Sequence, residues 1–199
     1  MNKKSLPGIL AIMILSFGGY MVMAQGQELE TVEEVQQASK YIQFTGKVEK
    51  VETETVSIRV VNEDGNEMIF PLSDEVLVMD STGNFLIKEE FTTGMDVDVY
   101  YDQNKPMPMI YPASITPDLI IVKNKESHQV KVAKFDSNLI SDDFKLKLHI
   151  DEQTIVVNER DEEIQEADLI NKELVVFYTI STRSIPAQTT PVKVVKLMD

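Results

Sequence analysis

Apolar and polar residues alternate along most of the chain after residue 40, with the period of two that is typical of half-buried β-strands. The runs "TVSIRVV" and "MDVDVYY" both follow this pattern closely. The turn Asp64-Gly65 between two such runs predicts a hairpin, because glycine takes a positive φ without steric cost. The segment "NFLIKEEFTTG" instead predicts a helical turn and loop ending at Gly94. The pattern therefore predicts a mostly β protein.

The order of these predicted elements recurs in the second half of the chain. "HQVKVAKF" resembles "FTGKVEKV", and the segment from Asp74 to Tyr101 aligns without a gap with Asp151 to Tyr178. The clearest match is "PASITP" at 112–117 against "PAQTTP" at 186–191. Similar elements in a fixed order indicate duplication. We therefore expect a first repeat at 41–124 and a second at 125–199, with the split near Asn124 to His128.

Each expected repeat has five or six strands and one short helical turn before its penultimate strand. This order favours two tandem small β-barrels of an OB-like type. Barrel closure is attractive because it removes the exposed edges of short strands. An SH3-like barrel and a small sandwich are the alternatives.

The first 24 residues have the composition of a secretory signal peptide. Lys3 and Lys4 precede the apolar run Leu6–Phe17, and Val22-Met23-Ala24 fits a cleavage site before Gln25. The alternative is an uncleaved membrane anchor, because the stretch up to residue 24 is just long enough to span a bilayer. Residues 25–40 are polar and acidic, which predicts a spacer with a weak helical stripe.

Composition and charge indicate which cellular compartment and which classes of partner suit the chain. The chain has no cysteine and a formal net charge of −14, which loss of the two N-terminal lysines makes more negative. Small exported domains usually carry disulfides, so their absence favours a secreted or cell-surface protein of a Gram-positive bacterium. The negative charge repels phosphates and anionic lipids. We therefore expect no nucleic-acid partner, and membrane contact only through an uncleaved N-terminal segment.

Two segments carry a resemblance to a known family. "TGKVEKVE" and "TGMDVDVYYDQNKPMPMIYPASITPDLIIV" resemble poorly characterised exported bacterial β-rich modules. Those modules often precede stalk domains similar to the N-terminal domain of copper amine oxidases. The resemblance covers about residues 41–123, and a second repeat occupies the place where a stalk domain would follow. It implies a non-catalytic, secreted or envelope-associated module, and it carries no active-site residues to transfer.

The insertion that precedes "PASITP" holds the candidate contact residues Lys105, Met107, Met109 and Tyr111. The two methionines are two residues apart, and thioethers suit Cu(I), so a small-ligand or copper carrier is the alternative function. The second repeat lacks this pair. A proline-stiffened crossover whose methionines fill space is the simpler interpretation.

The remaining candidate sites are weak. Acidic residues cluster at Asn62–Glu67, Asp142–Asp143 and Glu159–Glu163, but such runs are typical of solvated turns. Motifs for serine hydrolases, zinc proteases and phosphate loops are absent from the sequence, and its two histidines lie in no motif. We expect no catalytic residue, no metal site and no cofactor. The sequence predicts a non-catalytic interaction or spacer module that binds another exported protein or a cell-wall polymer; a hydrolase ranks last.

Overall fold

The computed structural model describes residues 39–197 of the chain. These residues all belong to one compact unit. The predicted signal peptide at 1–24 and the predicted spacer up to residue 38 lie outside the described residues. Within the described range, no helix has the length and apolar character needed to cross a membrane.

The first repeat forms a seven-stranded sheet in the order β4-β7-β5-β1-β2-β3-β6. A short 3-10 helix, Lys88–Glu90, precedes β5, where the sequence predicts a helical turn. The strands are β1 (Tyr41–Glu52), β2 (Ser57–Val61), β3 (Glu67–Pro71), β4 (Leu77–Asp80), β5 (Asp96–Asp102), β6 (Ala113–Ser114) and β7 (Leu119–Val122).

The second repeat forms a four-stranded sheet, β10-β13-β11-β8, and a two-stranded sheet, β12-β9. A 3-10 helix, Glu166–Leu169, again precedes the penultimate long strand. The strands are β8 (Gln129–Lys134), β9 (Leu146–Leu148), β10 (Ile155–Asn158), β11 (Glu173–Tyr178), β12 (Ala187–Thr189) and β13 (Lys193–Lys196).

The two halves share strand order and strand direction. In both four-strand sets, β4-β7-β5-β1 and β10-β13-β11-β8, the first pair is parallel and the next two are antiparallel. The short parallel pair β3-β6 corresponds to β9-β12, and both "PASITP" and "PAQTTP" begin with a cis X-Pro bond. The matching prolines therefore occupy equivalent places in the two halves.

The register corrects the gap-free alignment of the two halves. In the first repeat Leu77 pairs with Leu119, and at the equivalent point of the second repeat Ile155 pairs with Lys193. Leu77 is therefore equivalent to Ile155, which lies one position after the residue that the gap-free alignment places opposite Leu77. After the 3-10 helix, Asp96 and Glu173 are equivalent, as that comparison expects. The gap-free alignment is wrong because the loop that precedes β5 is one residue shorter in the second half.

The strand ladders do not close into a barrel within the described residues. The first sheet runs openly from β4 to β6, and the counterpart of β2 is reduced to two isolated bridges, Phe135 with Ser141 and Ile140 with Lys147. The prediction of two closed or OB-like barrels is therefore not confirmed. The mostly β character is confirmed.

The hydrophobic core has three parts. One cluster lies inside the first repeat, around Ile58 and Phe70, and another lies inside the second, around Phe135 and Leu169. The third cluster contains Tyr100 and Ile121 from the first repeat together with residues of the second repeat. Strand β7 is buried at every position, because alternate residues enter the first and the third cluster. The repeats therefore share a core.

Polar contacts flank this shared core. The Lys40 ammonium lies 2.6 Å from Glu173 Oε1, which joins the residue directly before β1 to β11. The Lys193 ammonium lies 4.7 Å from the centre of the Phe85 ring and 3.0 Å from Asp161 Oδ1. The contacts of Lys40 with Glu173 and of Lys193 with Phe85 reach the second repeat from outside it and stabilise the apposition of the two repeats.

Candidate functional site

The β5-β6 connection, residues 103–112, contains the four predicted contact residues. Its base is built by hydrogen bonds around Asp102, whose Oδ1 accepts from the Asn104 backbone at 2.8 Å and from the Asn104 side chain at 2.9 Å. Burial raises the pKa of Asp102, but these bonds and the nearby lysines outweigh it and lower the pKa overall. Asp102 therefore remains charged and shapes the turn from which the connection emerges.

Lys105 is anchored against the body of the protein. Its ammonium lies 2.8 Å from Asp118 Oδ1 and 3.4 Å from the Thr116 carbonyl. The same Asp118 carboxylate accepts a hydrogen bond from the Asp102 backbone at 3.1 Å. Lys105 thus ties the connection to the segment before β7, and its contact with a partner stays a prediction.

The end of the connection is an exposed apolar row. Met109 is fully exposed at 104%, Ile110 is 60% exposed and Tyr111 is 78% exposed. Met107 is less exposed, at 39%. A hydrogen bond of 2.9 Å from the Ile110 backbone to the Pro108 carbonyl tightens this part of the chain. Three predicted contact residues, Met107, Met109 and Tyr111, are thus exposed in this connection. Ile110 is exposed beside them, although the sequence did not indicate it as a contact residue.

The corresponding connection of the second repeat, residues 179–186, also exposes aliphatic side chains. Ile180 is 78% exposed and Ile185 is 95% exposed. The walls of an open groove of about 560 Å³ include Ile180, Thr182 and Gln188. Alignment of the two proline motifs places Ile185 opposite Tyr111, and this is the sequence signal that could have identified it.

The described residues contain no group of three His, Cys, Asp or Glu side chains that could hold a metal ion. His149 is engaged, with its Nε2 atom 2.8 Å from Gln188 Oε1. The copper hypothesis therefore depends on Met107 and Met109 alone, and it stays a prediction.

The acidic runs that the sequence analysis considered are parts of turns. Asn62 Oδ1 accepts a hydrogen bond from the Asn66 backbone at 2.8 Å, within the predicted hairpin turn. Asp143 lies 2.7 Å from Ser141 Oγ and also pairs with Lys131. Asp161 pairs with Lys193 across 3.0 Å. Each run therefore has a structural role in the fold.

A hydrogen-bonded loop surrounds Asp80, which is 8% exposed and is not among the site residues predicted from the sequence. Its carboxylate accepts hydrogen bonds from Thr82 and Asn84, and from Asn124 Nδ2 at 3.2 Å. Burial raises the pKa of Asp80, but the hydrogen bonds from Thr82 and Asn84 outweigh it and lower the pKa overall. This loop connects β4 to the linker between the repeats, so its role is structural.

Comparison of the chain with protein-family models, with curated proteins and with solved structures found no match.

Proposed function

We propose that the chain is a non-catalytic exported module whose two repeats form one rigid body that presents an interaction loop. The observation that carries this proposal is the exposed row Met109-Ile110-Tyr111 at the end of the β5-β6 connection. The anchored side chain of Lys105 supports it, because an anchored loop loses less conformational entropy when it binds.

The partner that suits this row is another protein of the envelope or the exported fraction. Tyrosine and methionine are enriched in the centres of protein interfaces, where they supply large contact area. The net charge of −14 favours a partner with a basic surface around an apolar pocket. A cell-wall polymer is the other candidate, and the experiment below separates the two.

Export, the absence of catalysis and an OB-like origin of each repeat belong to the same proposal. Strand β6 pairs with β3, and the next strand along the chain, β7, pairs with β5, in a ladder that stays open. That order supports an OB-like description. The Nε2 atom of His149 is engaged by the Gln188 side-chain amide, which supports a binding role over hydrolysis.

The test is site-specific crosslinking from position 109. A photo-reactive amino acid at Met109 is expected to capture a single protein from the intact envelope, and the same probe at exposed Glu63 in the β2-β3 turn is not. The captured protein is then purified and its affinity is measured. The triple substitution Met109→Ser, Ile110→Ser, Tyr111→Ser should weaken binding at least about tenfold.

The matched control is Ile87→Ser, which removes an aliphatic side chain that is 61% exposed on another loop. Equal loss of affinity in both variants, or binding to purified wall polymer alone, would contradict the protein-partner proposal. Cu(I) titration of the wild type and of Met107→Ala/Met109→Ala tests the carrier alternative. Equal affinity in the two proteins excludes that alternative.

A further inference from the structure

A polar groove of about 370 Å³ lies beside the shared core, where the first repeat meets the linker and the second repeat. Its volume is within the range of small-ligand sites, about 300–1,000 Å³. The first repeat contributes Gln43, Asp98 and Lys123, and the other wall contains His128 and Tyr178. The groove is separate from the exposed row at the β5-β6 connection.

The polar wall of this groove distinguishes the two repeats. Strand register makes Thr45, Asp98 and Lys123 the counterparts of Val132, Val175 and Leu197. The three residues of the second repeat are buried in the shared core, as expected for a sheet face that packs against another sheet. The first repeat therefore has polar residues at three positions where the second repeat has buried apolar ones.

The polar side chains on this wall are organised among themselves. The Lys123 ammonium lies 2.9 Å from Asp98 Oδ1, and Thr45 Oγ1 donates a hydrogen bond to the same oxygen. Gln43 Nε2 donates to Thr45 Oγ1 at 3.2 Å. The carboxylate and the ammonium compensate each other, so the wall offers donors and acceptors side by side without net charge.

Two tyrosine hydroxyls of the groove, those of Tyr100 and Tyr178, make no hydrogen bond within residues 39–197 and are not among the buried unpaired atoms there. The His128 Nδ1 atom is unpaired in the same range, but it is buried. Burial, then the charge of Asp98, raises the pKa of Tyr100, so its hydroxyl stays a donor at neutral pH. Each tyrosine hydroxyl can both donate and accept a hydrogen bond, as the hydroxyls of a sugar can.

We propose that this inter-repeat groove binds a neutral sugar ring. Gln43 and the Asp98-Lys123 pair would hydrogen-bond adjacent ring hydroxyls, and Tyr100 and Tyr178 supply further hydroxyls with aromatic surface beside them. The Asp98-Lys123 pair has no net charge, so the wall gives neither an anion nor a cation a net electrostatic attraction. This site goes beyond the proposed interaction loop and does not depend on it.

The test uses the full chain and two neutral disaccharides, cellobiose and N,N′-diacetylchitobiose. Calorimetry and ligand-observed NMR are expected to show binding of at least one sugar with a Kd of about 1 mM or tighter. Tyr100→Phe, Tyr178→Phe and Gln43→Ala should each weaken binding by about fivefold, the effect of one lost hydrogen bond. Gln43 is exposed, so its substitution does not threaten the fold.

The matched control is Tyr101→Phe, because Tyr101 is the counterpart of Tyr178 and lies in the core of the first repeat. Its sugar affinity should equal that of the wild type. The proposal is overturned if neither sugar binds, if all variants bind equally, or if only Ca²⁺ or inorganic phosphate binds. The triple loop substitution at 109–111 should leave sugar binding unchanged, so failure of this proposal is distinguishable from failure of the loop proposal.

Discussion

Glu173 accepts two hydrogen bonds from the Lys40 ammonium, at 2.6 and 2.8 Å, across the boundary between the repeats. Tyr41 donates its hydroxyl to the same carboxylate. Lys40 directly precedes the first repeat and Tyr41 begins it, whereas Glu173 begins β11 in the second. A single carboxylate therefore joins the N-terminal end of β1 to the other repeat, beside the shared core.

Glu173→Ala is expected to lower the free energy of unfolding by about 1–3 kcal/mol, because it leaves the half-buried Tyr41 hydroxyl without its charged partner. Lys40 contributes less, since its side chain is 36% exposed and solvent screens the ion pair. Urea denaturation of the full chain measures the change. The control is Glu152→Ala, at an exposed position of the β9-β10 loop, and it should change stability by less than about 0.5 kcal/mol. Equal effects of the two substitutions would show that the Glu173 carboxylate does not stabilise the contact between the repeats.

Alkaline pH is expected to unfold the protein. Burial, then the hydrogen bond to Glu173, raises the pKa of Tyr41, and burial also raises the pKa of Tyr100. Above about pH 10 the unfolded chain releases these protons while the folded chain retains them. The contribution of these two hydroxyls to stability is thus fully present below about pH 10, and it is lost as the pH rises further. The near-ultraviolet absorbance of tyrosinate should rise together with the loss of circular dichroism. Ionisation of all six tyrosines in a chain that keeps its native dichroism would contradict this expectation.

Alternation in the sequence predicted the long strands, but it could not predict what covers them. The segment "DLIIV" is apolar at successive positions, and such a run carries no information about which layer lies on each side. Leu119 and Ile121 face the second repeat, and this contact makes one body of what the sequence suggested were separate barrels. The two-residue strand β6 is too short to show any period.

For a similar reason, the sequence predicted some features of the candidate sites and not others. Exposure of Met109 and Tyr111 follows from their place in a polar, proline-rich connection, whereas the inward direction of Lys105 depends on Asp118, which is distant along the chain. The polar face of the groove requires the register of three strands, which pair residues that are far apart along the chain, and local alternation carries no information on that pairing.

Gly46→Ala is expected to be strongly destabilising, by about 3 kcal/mol or more. A Cβ at this position would lie 2.4 Å from the Val61 carbonyl oxygen and 2.8 Å from Val60 Cγ1, and the backbone atom cannot move without breaking the β1-β2 ladder. The control is Gly65→Asn in the hairpin turn, where φ is +80° and the space around the added Cβ is open. Asparagine tolerates this backbone region, so the control should cost about 1 kcal/mol or less. Thermal unfolding of the two variants makes the comparison, and similar melting temperatures would place β1 and β2 further apart than the structure does.

Two neighbouring aspartates are expected to respond to the same substitution with opposite signs. Burial, then the charge of Asp143, raises the pKa of Asp142, whose Oδ1 atom is buried without a partner in the described part of the chain. The folded state then binds the proton more tightly than the unfolded state, so stability falls as the pH rises from about 4 through the folded pKa. Asp142→Asn removes this loss, and the free energy of unfolding of this variant at pH 7 should exceed that of the wild type by up to about 1 kcal/mol.

The charged form of Asp143 contributes to stability, in contrast to that of Asp142, because Lys131 and Ser141 bind its carboxylate. Burial raises its pKa, but hydrogen bonds from Lys131 and Ser141 outweigh this effect and lower the pKa overall. Its contribution to stability is therefore present at neutral pH and lost as the pH falls through the folded pKa. Asp143→Asn leaves Lys131 without its carboxylate and should cost about 1–3 kcal/mol at pH 7. Denaturant unfolding at pH 4 and pH 7 measures both variants. If both substitutions shifted stability in the same direction at pH 7, the different roles assigned to the two carboxylates would be wrong.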